Sequence, residues 1–348
     1  MLRLIAVLMA VALLAGQTLL PSALSAQDTT STEADRAMVF SLSESYLHDL
    51  ATNRTIRFKA RVTVDARSNV HKLASDCEMH LATHGSTDLA SPPAVVVEPP
   101  NLCKRRLPGI PKTGAIGAAW QQYVDQHVLN QQCDVVGFPR IFSEHREGGG
   151  DVGSNPNHVL EIHPALSISC DNGTALDFSP LLRIYPGMRH ISDASAAVCL
   201  EERKLWVRKN GSLYEFAEEG AKGPGGRCGN FIVVEATVHR AYIREFDKGT
   251  GGRGDHSAIA WVTVGGYGPY SLKIYTYRDT PEDTALTEIA NGTNASRVLH
   301  VHGMITYDYL AILRAVQDSS RNWLADISTW TQVPHPLSLV VFGTSQAP

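Results

Sequence analysis

Two stretches of this chain, about 170 residues apart, close in the same way. One reads E-I-H-P-A-L-S-I over 161–168, the other V-P-H-P-L-S-L-V over 333–340. Each ends a run with one order of features: three strand-like segments, a helix-like segment, then two more strand-like segments. A repeated element order predicts two like domains in one chain. Three strands, a helix and two strands is the order of the OB-fold, a five-stranded Greek-key barrel. The chain therefore reads as mainly β with a few helices. It predicts two tandem OB-like five-stranded barrels (β-β-β-α-β-β twice), over 56–175 and 231–348, joined by a hairpin-containing segment over 176–230.

The periodicities behind this are local. In the first half, strands are expected over 57–64, 77–83, 94–98, 134–142 and 158–169. A helix over 115–132 carries Ile116, Trp120, Tyr123, Val124 and Val128 on one face. In the second half, strands are expected over 231–243, 258–264, 271–277, 297–307 and 332–342. A short helix over 281–290 starts with Pro281, and a helical insertion is expected over 310–317. In the connecting segment, Asn210-Gly211 between L-W-V and L-Y is a hairpin signal. Residues 27–55 begin polar and give a weak helical pattern through Met38, Leu42, Tyr46 and Leu50.

Residues 1–26 have the form of a secretory signal peptide: Arg3, an apolar run over 4–16, and the small-residue stretch A-L-S-A over 23–26. Cleavage leaves no second long apolar run, so no membrane span is expected and the chain reads as secreted or periplasmic. Arg3 is the one charge removed, so the net charge goes from -4 to about -5. That argues against general nucleic-acid binding, which needs a basic face. Six cysteines in an exported chain read as disulfides. Cys199 is expected to pair with Cys228, and Cys77, Cys103, Cys133 and Cys170 then pair among themselves in one of three ways, the preferred one being Cys103–Cys133 across the helix with Cys77–Cys170.

The run D-C-E-M-H-L over 76–81, then V-V-V-E-P-P-N-L-C over 95–103 and E-I-H-P over 161–164, resembles a group of exported bacterial proteins. In that group an acid-x-acid-x-His-Leu strand precedes a cysteine-containing segment and a closing E-[I/L]-H-P strand. The likeness spans roughly residues 56–169 and implies a compact secreted β-barrel. The element order is also similar to staphylococcal-nuclease-type OB domains, whose arginine–acid catalytic set has no match on the corresponding strands.

The candidate chemistry lies in the first barrel. On a strand over 76–81, Asp76, Glu78 and His80 share one face, while Cys77, Met79 and Leu81 share the other. Glu161 and His163 share a face of the closing strand. Carboxylates beside imidazoles suit a divalent metal or acid–base work. In an OB barrel, however, strand three separates strands two and five, a gap of roughly 9–10 Å. In the second half, His300, His302 and Met304 fall on one strand face, a set of copper type. The R-G-D over 253–255 reads as a solvated loop.

The expected function is an exported non-catalytic binding module. Its contact face on strands two and three of the first barrel would meet an unknown extended ligand or protein partner. Asp76, Glu78, His80, Glu161 and His163 are the ligand-contact candidates. No cofactor is expected, a divalent metal being the exception this set admits. The alternative is a metal-dependent hydrolase, such as a nuclease, built on the same five residues.

Overall fold

The computed structural model describes residues 38–43, 58–65, 79–84, 95–99, 116–141, 160–179, 191–219, 231–246, 255–277, 280–308, 311–312, 316 and 330–345. Residues 1–26, on which the signal-peptide expectation falls, and Asp76, Cys77, Glu78, Cys103 and Cys228 lie outside them.

The first barrel uses β2 (Phe58–Val64), β3 (Leu81–His84), β4 (Val96–Val97), β5 (Gln132–Ile141) and β6 (Leu160–Cys170). Helix α1 (Ile116–His127) lies between the third and fourth strands. Around the barrel the order is β2-β3-β4-β6-β5 and back to β2, with β4 and β6 parallel at the closure. β7 (Ala175–Asp177) adds to the edge of β6. Alternation sends Val62, Leu81, Val97, Val135 and Ile162 inward, where Trp120 of α1 covers them. Gly137 lets β5 and β6 touch: a Cβ there would sit 2.6 Å from the Pro164 carbonyl oxygen.

The second barrel repeats this arrangement. Its strands are β10 (Phe231–His239), β12 (Asp255–Val264), β13 (Tyr267–Thr276), β14 (Ser296–Tyr307) and β16 (Leu337–Ser345). The order is β10-β12-β13-β16-β14 and back to β10, and β13 runs parallel to β16. Helix α3 (Pro281–Asn291) again falls between strands three and four. It starts at Thr280, whose hydroxyl accepts from the Asp283 N–H, with Pro281, Glu282 and Asp283 in the first turn. Short β11 (Arg244–Phe246) pairs with β12. Both barrels therefore have the OB topology.

Three elements differ from the sequence expectation. Residues 38–43 form strand β1 (Met38–Ser43), not a helix. The strand pairs with β9 (Leu213–Glu219) of the hairpin β8 (Lys204–Asn210)–β9, so an available edge overrides a weak helical pattern. The single strand expected over 332–342 is two elements. Pro334 and Pro336, which have no N–H to donate, separate β15 (Thr331–Gln332) from β16. β15 joins β8, giving a separate sheet of order β1-β9-β8-β15. Finally, α2 (Asp193–Glu202), capped by Ser192, precedes the hairpin.

The disulfides expected at Cys103–Cys133 and Cys77–Cys170 give way to Cys133–Cys170. Cys133 is the second residue of β5, Cys170 closes β6, and the antiparallel register sets them directly opposite. Cys199 is disulfide-bonded to a cysteine outside the described residues.

The barrels dock on each other. Phe138 and Leu166 of the first pack with Phe231, Tyr277, Met304, Val340 and Phe342 of the second. Phe138 lies 5.0 Å from Phe342 and 5.5 Å from Tyr277 between ring centroids. The Thr306 hydroxyl donates across the seam to the Pro139 carbonyl at 3.4 Å. Among the described residues, no helix is long and apolar enough to cross a membrane.

Candidate functional site

Of Asp76, Glu78 and His80, only His80 is among the described residues, and it does meet the closing strand. The link is Glu98, just past β4. Its Oε1 lies 2.8 Å from His80 Nε2, and its Oε2 lies 2.9 Å from His163 Nδ1. The two-strand gap that separates His80 from His163 is thus spanned by a carboxylate on the strand between them. Arg140 of β5 completes the set. Its guanidinium contacts Glu161 through Nε at 2.5 Å and reaches Glu98 Oε2 at 3.3 Å. Glu98, Glu161 and His163 offer ligand atoms all within 4.8 Å of one another, the group with metal-ligand spacing among the described residues.

This cluster is on the outer face of the first barrel, opposite Met79 and Leu81, which point into the core. Apart from partly exposed His80, it is nevertheless sealed. Glu161 and His163 have 0% exposure, Glu98 and Arg140 2%. The docked second barrel covers this side: the His163 ring lies 5.4 Å from that of Phe231. Glu161 and His163 are therefore not the ligand-contact surface that the sequence led us to expect. An outward-facing strand position is exposed only if nothing packs on the sheet, and the seam between barrels is not encoded in strand periodicity.

Burial alone would raise the Glu98 carboxyl, but the imidazoles of His163 and His80 outweigh it and hold it well below the usual carboxylate range. Burial, reinforced by Arg140, lowers His163, against the pull of Glu98 and Glu161. The state consistent with both is an ionised Glu98 beside a neutral His163. Their 2.9 Å contact is of hydrogen-bond length, but the ring nitrogen is not aligned on the oxygen, and His163 Nε2 is buried without a hydrogen-bond partner among the described residues. Arg140 supplies the cation that two buried carboxylates require, in the place a metal would take.

The second barrel lacks the set. The registers Arg140↔Glu161 and Val96↔Glu161 correspond to Thr306↔Ser338 and Lys273↔Ser338. Extending the correspondence along each strand puts Tyr275 in the place of Glu98 and Val340 in that of His163. The His-Pro likeness does not mark equivalent positions: His163-Pro164 lies inside β6, whereas His335-Pro336 precedes β16, with His335 at φ 47°.

The three residues expected to form a copper set stay on one face of β14 but in different surroundings. His300 faces Glu235 at 4.0 Å. His302 is buried against Gly343, where a side chain would overlap its imidazole. The β14–β16 register shifts at His302/Gly303, and Met304 beyond it packs among the rings of the seam. Asp255 of the R-G-D is fully buried at the start of β12.

A feature the sequence reading missed lies on the open outer face of the second barrel. Trp261 of β12 packs edge-on against His239 of β10, with centroids 4.7 Å apart at 77°. Tyr242, in the turn Arg240–Tyr242 after β10, lies 5.8 Å from Trp261. Tyr242, Ile259 and Val298 are each more than two-fifths exposed. The one signal in the sequence was that Ile259, Trp261 and Val298 fall on the outward phase of their strands. No family model, curated protein or solved structure matches the chain.

Proposed function

We propose that the chain is an exported, non-catalytic binding module whose contact face is the outer surface of β10 and β12 in the second barrel. The carrying observation is the ring cluster of half-buried His239 and Trp261 with exposed Tyr242, and exposed Ile259 and Val298 beside it. Large exposed apolar groups clustered on one face mark interaction surfaces, and OB barrels bind extended ligands on the face of strands two and three and the adjoining loops, where β12 is strand two. The barrel docking supplies a rigid scaffold. The cross-strand disulfide suits an oxidising compartment.

The hydrolase alternative rests on the metal-ligand spacing of Glu98, Glu161 and His163. Two observations weigh against it. Arg140 already occupies both carboxylates, and the three acid and imidazole groups are at most 2% exposed, out of a substrate's reach.

The test is a panel of fluorescent probes (neutral glycans, single-stranded DNA, extended peptides) scored for binding and turnover by the intact protein and by Tyr242→Ala. Binding without turnover, weakened in Tyr242→Ala, is expected. Turnover abolished both by EDTA and by Glu161→Gln would put the hydrolase in its place.

A further inference from the structure

Resting on that reading, we infer that the exposed face of the second barrel takes a neutral oligosaccharide, with a sugar ring lying against Trp261 and Tyr242. The strand register gives the layout. One row across the sheet runs Val298, Thr237, Trp261, Ser271. The next runs His300, Glu235, Thr263. Rings and aliphatics thus sit beside hydroxyl, imidazole and carboxylate groups spaced one residue pair apart.

That mixture matches a pyranose. Its axial C–H face is apolar and stacks on an aromatic ring, while its rim of hydroxyls both donates and accepts. Glu235 accepts, the Thr and Ser hydroxyls do either, and His300 does either according to tautomer. Tyr and Trp are suited to the stacking because each presents a broad apolar surface with a polar tip. The edge-on packing of His239 on Trp261 fixes the indole in place before a ligand arrives, which lowers the entropy lost on binding.

Charge decides between this ligand and a single-stranded nucleic acid, the other extended ligand of OB barrels. A nucleic acid needs cations along its backbone as well as rings for its bases. The described cations bordering this face are already engaged. Lys273 lies 3.3 Å from Asp308 and over the Tyr275 ring. Arg240 donates to the Gly292 carbonyl, Arg244 to those of Ala241 and Ile243, and Arg297 pairs with Glu288. Glu235 adds a negative charge within the rows, and the whole chain carries -4. A phosphate backbone laid here would find Glu235 within the rows and, among the described cations bordering them, guanidinium and ammonium groups already held by partners of their own; an uncharged polymer needs no free cation.

The experiment uses the full chain on an array of neutral glycans. Hits are then titrated by tryptophan fluorescence beside an oligo-dT probe, with Trp261→Ala, Trp261→Phe and Tyr242→Ala as variants. Expected is saturable glycan binding weakened about tenfold or more in Trp261→Ala, as for a central aromatic contact, and largely retained in Trp261→Phe. Affinity should change less than about twofold between roughly 50 and 500 mM salt, since no counterions are released. Tyr242 is exposed, so Tyr242→Ala keeps the test valid if Trp261→Ala does not fold. Tyr242-dependent binding of oligo-dT or a peptide, with no glycan bound, overturns the saccharide and leaves the binding module standing. No Tyr242-dependent binding of any probe overturns both.

Discussion

Glu98 Oε2 lies 2.9 Å from His163 Nδ1. The contact ties strand three to strand five where the first barrel closes, and Arg140 holds the same carboxylate from strand four. Three strands thus converge on one buried charge. Removing the cation should be worse than removing the whole set. Arg140→Leu is expected to lose about 3–5 kcal/mol in urea unfolding, because it leaves two buried carboxylates uncompensated. Replacing Arg140, Glu98 and Glu161 together with apolar residues of like volume should lose less than Arg140→Leu alone. A loss within about 0.5 kcal/mol for Arg140→Leu, the scale of a surface change, would mean that the cluster is hydrated.

The same cluster sets a pH dependence. His163 is lowered in the folded state from the usual 6.5, and Glu98 is lowered from the usual 4.5. For both, the unfolded chain binds protons that the folded chain does not, so stability rises with pH across the interval between the two values. The contribution is fully present above 6.5 for His163 and above 4.5 for Glu98, and each is lost as pH falls toward the depressed folded value. The unfolding midpoint should therefore fall as the solution is taken below pH 6.5. In His163→Phe the decline should begin only near the carboxylate range. An identical profile in the variant would remove His163 from the account.

How much of this was legible in the sequence divides along one physical line. Strand periodicity and the position of each helix depend on neighbours in sequence, and both barrels could be read from them. Met79 and Leu81 could be assigned inward, and His80, Glu161 and His163 outward, for the same reason. What covers the outward face depends on docking between domains, which periodicity does not carry. Glu98 was passed over because it ends a run of valines and looked like part of a short strand. Arg140 was passed over because its partners lie 21 and 42 residues away.

Cys133–Cys170 belongs to one of the three connectivities that the sequence leaves open, though not the preferred one. Strands four and five of an OB barrel are antiparallel neighbours, so the first residue of one faces the last residue of the other. The bridge closes a loop with a separation of 37 residues, which corresponds to about 4 kcal/mol of lost unfolded-state entropy. Cys133→Ala/Cys170→Ala is expected to lose about 2–4 kcal/mol in urea unfolding under oxidising conditions. Cys199 is bonded, and the expected partner is Cys228, which leaves Cys77 for Cys103. Peptide mapping without reductant should recover a peptide holding Cys199 and Cys228; one joining Cys199 to Cys77 or Cys103 would refute the pairing.

The last prediction links the seam to the buried charges. Phe231 is 2% exposed, and its ring lies 5.4 Å from that of His163. It comes from the first strand of the second barrel, so it is a second-barrel side chain that keeps water from a first-barrel imidazole. Phe231→Ala should lose about 3–5 kcal/mol, as a buried aromatic replaced by a methyl does. It should also let water reach His163, and since burial is the main cause of the lowering, the imidazole should move up toward 6.5. Met304→Leu, a near volume-conserving change in the same apolar cluster, is the control. It should shift stability by less than about 1.5 kcal/mol and leave the titration where it was. Following the His163 ring protons by NMR across pH in the intact protein reads both effects. If Phe231→Ala loses stability while His163 titrates unchanged, the second barrel adds packing to the seam without controlling the charge beneath it.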